Sequence, residues 1–100
     1  MFPVAAAPRF ETNLRRIAER LLFSGDDNPD AGLEASLSTA LLNVRTFPEA
    51  YPRTGKARRR FTFEYRSILY TVLYTFDGEL VMLHDIHFSR SARTAHWLAE

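Results

Sequence analysis

The chain has 100 residues, 46% of them hydrophobic, with a formal net charge of +1 and no cysteine. That length suits one small domain over residues 1–100, with a modest core that hides roughly 60–70% of the unfolded surface. It excludes disulfides and cysteine-held metals, fits a reducing cytoplasm, and offers neither a run approaching the ~18 apolar residues of a membrane span nor, in MFPVAAAPRF, the basic start of an export signal.

In chain order, residues 2–7 read as a short strand weakened by alanines and ended by Pro8, which suits the first turn of a helix. Phe10, Leu14, Ile17, Ala18, Leu21 and Leu22 recur at helical spacing over 8–24, and Ser24-Gly25 stops that helix. After the loop GDDNPD, Asn28 is placed to cap a second helix over 29–47, with Pro29 at its first position. Its stripe is Leu33, Leu37, Ala40, Leu41, Val44 and Phe47, and Pro48 ends it. The two helices read as an antiparallel hairpin. Residues 49–57 are a loop by composition.

The second half reads as a meander. Arg60, Thr62 and Glu64 alternate with Phe61, Phe63 and Tyr65, the period of a half-buried strand over 58–65. Strands follow over 67–76 and 79–88, joined at Asp77-Gly78, the strongest short-range hairpin signal in the chain. A two-residue turn there pairs Tyr74 with Val81, Val72 with Leu83, Tyr70 with Asp85 and Ile68 with His87. Both faces are apolar, so the hairpin is expected at the centre of the sheet. Ser91 opens a short helix over 91–99 anchored by Trp97 and Leu98. The expected class is α/β in the α+β sense: a small, mostly antiparallel sheet in the order β-α-α-β-β-β, plus a short C-terminal helix.

Charge is polarised along this frame. Arg53, Lys56, Arg58, Arg59, Arg60 and Arg66 are opposed locally by Glu64, while Asp26, Asp27, Asp30 and Glu34 lie far back. Such a cluster serves solubility at a strand edge or meets an anionic partner. His84 and His87, three apart on one strand, are expected on opposite faces and so do not form a metal pair. No phosphate loop, nucleophile elbow or metal motif is present in the sequence, and no cofactor is expected. Arg90 could lock the tail through a salt bridge to Asp85 or Glu64.

The order of a helix pair ending in Phe47-Pro48, an Arg-rich strand, then ILYTV, DGELVML and Ile86-His87-Phe88-Ser89-Arg90 resembles the RelE/ParE superfamily of toxins from type II toxin–antitoxin pairs. Tyr70 matches the tyrosine of that family's Ile-Val-Tyr strand, and the likeness runs from about Pro8 to Arg93. Phe88 stands where the family's segment carries a small residue. The resemblance implies a growth-inhibiting cytoplasmic toxin, bound by a cognate protein antitoxin in a hetero-oligomer.

The resemblance implies one of two targets. ParE-like members bind and poison DNA gyrase; RelE-like members cut messenger RNA on the ribosome. The low net charge and the lack of an evident acid–base pair in the sequence favour the gyrase branch. For the nuclease, Arg66, His87 and Arg90 would supply charge and proton transfer to a phosphodiester. On either branch Lys56, Arg58, Arg59, Arg60, Tyr65 and Arg93 are the expected target-binding residues, and Arg16, Arg20, Trp97 and Leu98 the antitoxin-binding ones. A third reading is an inactive relative that serves as an interaction module or co-repressor subunit.

Overall fold

The computed structural model describes residues 1–55 and 57–91. The expected helix over 91–99 with Trp97 and Leu98, and the residues Lys56 and Arg93, therefore lie outside the described residues.

The described chain runs β1 (Val4–Ala6), α1 (Pro8–Phe23), α2 (Pro29–Thr46), β2 (Arg53–Thr54), β3 (Arg58–Tyr65), β4 (Ile68–Phe76) and β5 (Val81–Phe88). The five strands form one mixed sheet in the spatial order β1-β5-β4-β3-β2. β1 lies parallel to β5, and the other three pairings are antiparallel. The fold is α+β, with β2 added to the expected order. Only two residues long and set among prolines and Gly55, β2 has no periodicity that composition could reveal.

α1 begins at Pro8, whose missing N–H is no loss in a first turn. It ends where the Ser24 N–H returns to the Arg20 and Leu21 carbonyls and Gly25 takes a φ of +99°. α2 begins after Asn28, but that side chain makes no capping bond. Its backbone N–H donates instead to Asp26 Oδ1 at 3.2 Å. The core lies between the helix pair and one face of the sheet. Phe10, Ile17 and Leu21 of α1 and Leu33, Leu37 and Val44 of α2 meet Phe61, Phe63, Tyr70, Val72, Tyr74, Val81, Leu83 and Ile86. Leu22 and Phe47, expected in the apolar stripes, are 58% and 60% exposed. Leu22 sits about 100° round the helix from Leu21, and Phe47 is already the residue after α2.

The β4–β5 register differs from the expected one. Asp77–Leu80 is a four-residue loop, not a two-residue turn, because Asp77 Oδ1 accepts the N–H groups of both Glu79 and Leu80 at 2.8 Å. Phe76 consequently faces Val81, and Tyr74 faces Leu83. Next, Leu73 faces Asp85, so His84 is the extra residue of a β-bulge. Val72 then faces Ile86, and Tyr70 faces Phe88 in place of Asp85. The bulge resets the alternation. Ile86 and Phe88 turn toward the helices, while Asp85 and His87 join Thr71, Leu73 and Thr75 on the second face. His84, held at 2.8 Å by Thr75 Oγ1, shares that face with His87, contrary to the expectation of opposite faces.

The two-residue hairpin is the other one. Tyr65 pairs with Ile68 across Arg66 and Ser67, which have φ of 52° and 65°. Positive φ at both central residues is the pattern of a type I′ turn, whose twist matches that of the strands.

Candidate functional site

The cationic residues grouped by the sequence divide between the two ends of β3. Arg58, Arg59 and Arg60 lie at the end near the Asp77–Leu80 loop, and Arg66 caps the other end, roughly 20 Å away. The Arg59 guanidinium donates to the Tyr51 carbonyl at 2.7 Å and that of Arg60 to the Arg53 carbonyl at 3.3 Å. Both therefore fasten the 51–54 segment to the sheet. Arg58 is close enough to His84 to help burial hold that imidazole below its ordinary pKa, with burial the larger cause.

Tyr65, expected among the target-binding residues, is engaged within the fold through its hydroxyl. Its hydroxyl donates to Asp26 Oδ2 at 2.7 Å, and the Arg66 Nε lies 3.2 Å from the same oxygen. The Tyr65 bond is the first cause, with the Asn28 N–H and the Arg66 charge behind it, of an Asp26 pKa below the carboxylate norm. The Arg66 pKa is raised in turn, first by Tyr65 and then by Asp26. This cluster joins the α1–α2 loop to the β3–β4 turn. It also accounts for Gly32 inside α2, where the Tyr65 phenol fills the space of a side chain.

A second polar cluster stands on the second face of β5. Asp85 is 3% exposed, and its Oδ1 accepts the Ile86 N–H at 2.9 Å and the Asn13 side-chain amide at 2.5 Å. His87 Nε2 lies 3.4 Å from that oxygen and 3.4 Å from the Asn13 amide nitrogen. One row further along, Thr71 Oγ1 and Ser89 Oγ share a hydrogen bond of 2.8 Å. Arg90 follows, exposed, at a groove of about 370 Å³ lined by Ser67, Ile68, Leu69, Phe88 and Ser89. The expected salt bridge from Arg90 to Asp85 or Glu64 does not form among the described residues, because Asn13, His87 and a backbone N–H already meet the Asp85 charge.

Of the three residues considered for catalysis, the fold brings His87 and Arg90 to one end of the sheet. Arg66 occupies the adjacent turn but is engaged by Asp26. Of the antitoxin-binding candidates, Arg16 is exposed on α1, and Arg20 stands 5.1 Å over the Phe88 ring as a cation–π contact. Sequence reasoning missed Asn13 and Asp26, and gave Asp85 only a salt bridge. A lone acid inside VMLHDIHF was the available signal, since a carboxylate in a central strand must find partners. Among the described residues, no group of three or more His, Asp or Glu could hold a metal, and no helix is long and apolar enough to cross a membrane.

Compared with protein-family models and with curated proteins, the chain matches none.

Proposed function

We propose that this chain is the toxin half of a type II toxin–antitoxin pair of the RelE/ParE kind, acting in the cytoplasm as a ribosome-dependent endonuclease of messenger RNA. The mixed sheet packed on one face by a helix pair is compatible with that family. The observation that carries the mechanism is the Asp85 carboxylate 3.4 Å from His87 Nε2. The preference for gyrase rested on the low net charge and on the lack of such an acid–base pair, and the second of these grounds no longer holds. With His87 as the proton-transfer group, the exposed Arg90 would meet the phosphate, beside the Thr71 and Ser89 hydroxyls.

Inhibition of gyrase by binding is the second reading. It is favoured by the engagement of Arg66, one of the three residues the nuclease would use, with Asp26, and by the low net charge. Growth arrest on induction tests the toxin; its absence favours an interaction module. A gyrase supercoiling assay beside an in vitro translation assay separates the targets. Messages cut only on ribosomes, with supercoiling untouched, support the nuclease; inhibited supercoiling with intact messages overturns it.

A further inference from the structure

Asp85 is the only acid in β5 and lies on the second face of the sheet, where Asn13 of α1 reaches it. A carboxylate so deeply buried needs its charge met. Among the described residues, three contacts converge on one oxygen: the Ile86 N–H, the Asn13 amide and His87 Nε2. Asn13 is the hinge of this arrangement, because its amide nitrogen touches both Asp85 Oδ1 and His87 Nε2. When the imidazole is neutral with Nε2 bare, the two Asn13 N–H groups serve Asp85 and His87 together. When Nε2 carries a proton, it donates to Asp85, and the proton passed on is the one on Nδ1. Either state of the ring therefore has partners in one and the same geometry.

We propose that Asp85 and Asn13 are positioning residues for His87, holding the imidazole by its Nε2 edge so that it gains and loses a proton without moving. The inference rests on the ribonuclease reading. Among the described residues the neighbouring titratable and charged groups are these, beginning with His84 on the same face of β5. β4 contributes Thr71 and Leu69 and no charged side chain, β3 contributes Glu64 and Arg60 one strand further away, and Arg90 follows β5. α1 contributes Asn13, with Arg9, Arg16 and Arg20 on neighbouring turns. Asp85, 3.4 Å from Nε2, is the charge nearest the ring among these.

The substrate class is a ribonucleotide phosphodiester. The 2′-hydroxyl loses its proton to water as its oxygen bonds to phosphorus. The bond from phosphorus to the 5′-oxygen breaks, and that oxygen takes the proton of His87 Nδ1, the ring nitrogen that Asp85 and Asn13 do not hold. His87 regains a proton from water, and the product is a 2′,3′-cyclic phosphate.

The test uses the full chain, programmed ribosomes and a pH series, with the His87 ring followed by NMR. In Asp85→Asn, kcat should fall about tenfold or more at constant KM, and the alkaline limb should move down by about one pH unit with the ring's titration. Asn13→Ala, at a partly exposed position, should lower kcat with the limb nearly unmoved. If Asp85→Asn does not fold, Asn13→Ala and the NMR tautomer of its His87 decide. Unchanged kcat, pH limb and tautomer in every folded variant overturn the inference alone. An unsubstituted chain that cleaves nothing on ribosomes overturns the ribonuclease reading and the inference with it.

Discussion

The Tyr65 ring lies so close over Gly32 of α2 that a methyl group on that helix would overlap its hydroxyl and Cζ. Helix propensity alone says Gly32→Ala should gain about 1 kcal/mol. The ring can make room only by leaving Asp26, its partner at 2.7 Å. We therefore expect Gly32→Ala to lower stability by about 1–3 kcal/mol, the usual cost of overpacking. In a Tyr65→Ala background the same change should become stabilising. Urea unfolding of the four proteins in the cycle measures both signs, and a gain from Gly32→Ala in the parent contradicts the packing.

The Arg66-Ser67 turn carries positive φ at two side-chain-bearing residues. Left-handed backbone costs such residues roughly 1 kcal/mol each. Among the described residues Ser67 makes no side-chain bond that offsets the cost, so Ser67→Gly should stabilise by about 0.5–1 kcal/mol. Arg66→Gly relieves the same strain but loses the contact to Asp26, and should gain less. Equal gains in urea midpoint would mean that the Arg66–Asp26 pair contributes nothing.

These turns show what was legible in the chain. Helical stripes, prolines at first turns and alternation in β3 located α1, α2 and β3 to within a residue or so, because those signals are local. Asp77-Gly78 marked a hairpin but misled on its length: the Asp77 carboxylate captures two backbone N–H groups and opens the turn to four residues. The β-bulge at His84 was invisible, since nothing in VMLHDIHF says which residue goes unpaired. That one residue decides whether Asp85 and His87 face the core, so the pairing of Asp85 with His87 and Asn13 was beyond reach. Asn13 is 72 residues from Asp85, and only the tertiary fold brings them together.

Acid should expose the role of Asp26. Its folded pKa is depressed, first by the Tyr65 hydroxyl, so the folded state binds fewer protons than the unfolded chain at mildly acid pH. The stability it contributes is complete above the ordinary carboxylate range, near pH 4, and is lost as pH falls through the lowered value. Asp26→Asn should be less stable than the parent at pH 7 and show a flatter acid limb. Chemical denaturation at stepped pH reads this directly. An acid limb as steep in the variant as in the parent would assign acid sensitivity to other carboxylates.

Two buried tyrosines should respond oppositely to removal of the hydroxyl. Tyr74 donates to the Pro48 carbonyl at 2.6 Å, whereas the Tyr70 hydroxyl finds no hydrogen-bond partner among the described residues. Tyr74→Phe should cost about 1–2 kcal/mol, because a buried carbonyl loses its donor. Tyr70→Phe should be neutral or stabilising by up to about 1 kcal/mol. Burial pushes the Tyr74 pKa up to about 12. Unfolded phenols titrate near 10, so the folded state holds the extra proton between those values and stability falls as pH rises through them. Tyr74→Phe should remove part of that alkaline loss, as a phenolate titration beside the unfolding curve would record.

Arginines at the two ends of the sheet should separate folding from activity. Arg59 fastens the Tyr51 carbonyl at 2.7 Å, so Arg59→Ala should lower stability by about 1 kcal/mol or more. Arg90 is exposed beyond β5, and Arg90→Ala should change stability by no more than about 0.5 kcal/mol. On the ribonuclease reading the order reverses for function. Arg90→Ala, alone and with His87→Ala, should abolish cleavage on ribosomes, while Arg59→Ala should retain it once its lower stability is allowed for. If both single variants lose activity equally while folded, the target must contact both ends of the sheet, roughly 20 Å apart. That outcome would favour a broad surface for the ribosome-bound message over a site confined to His87 and Arg90.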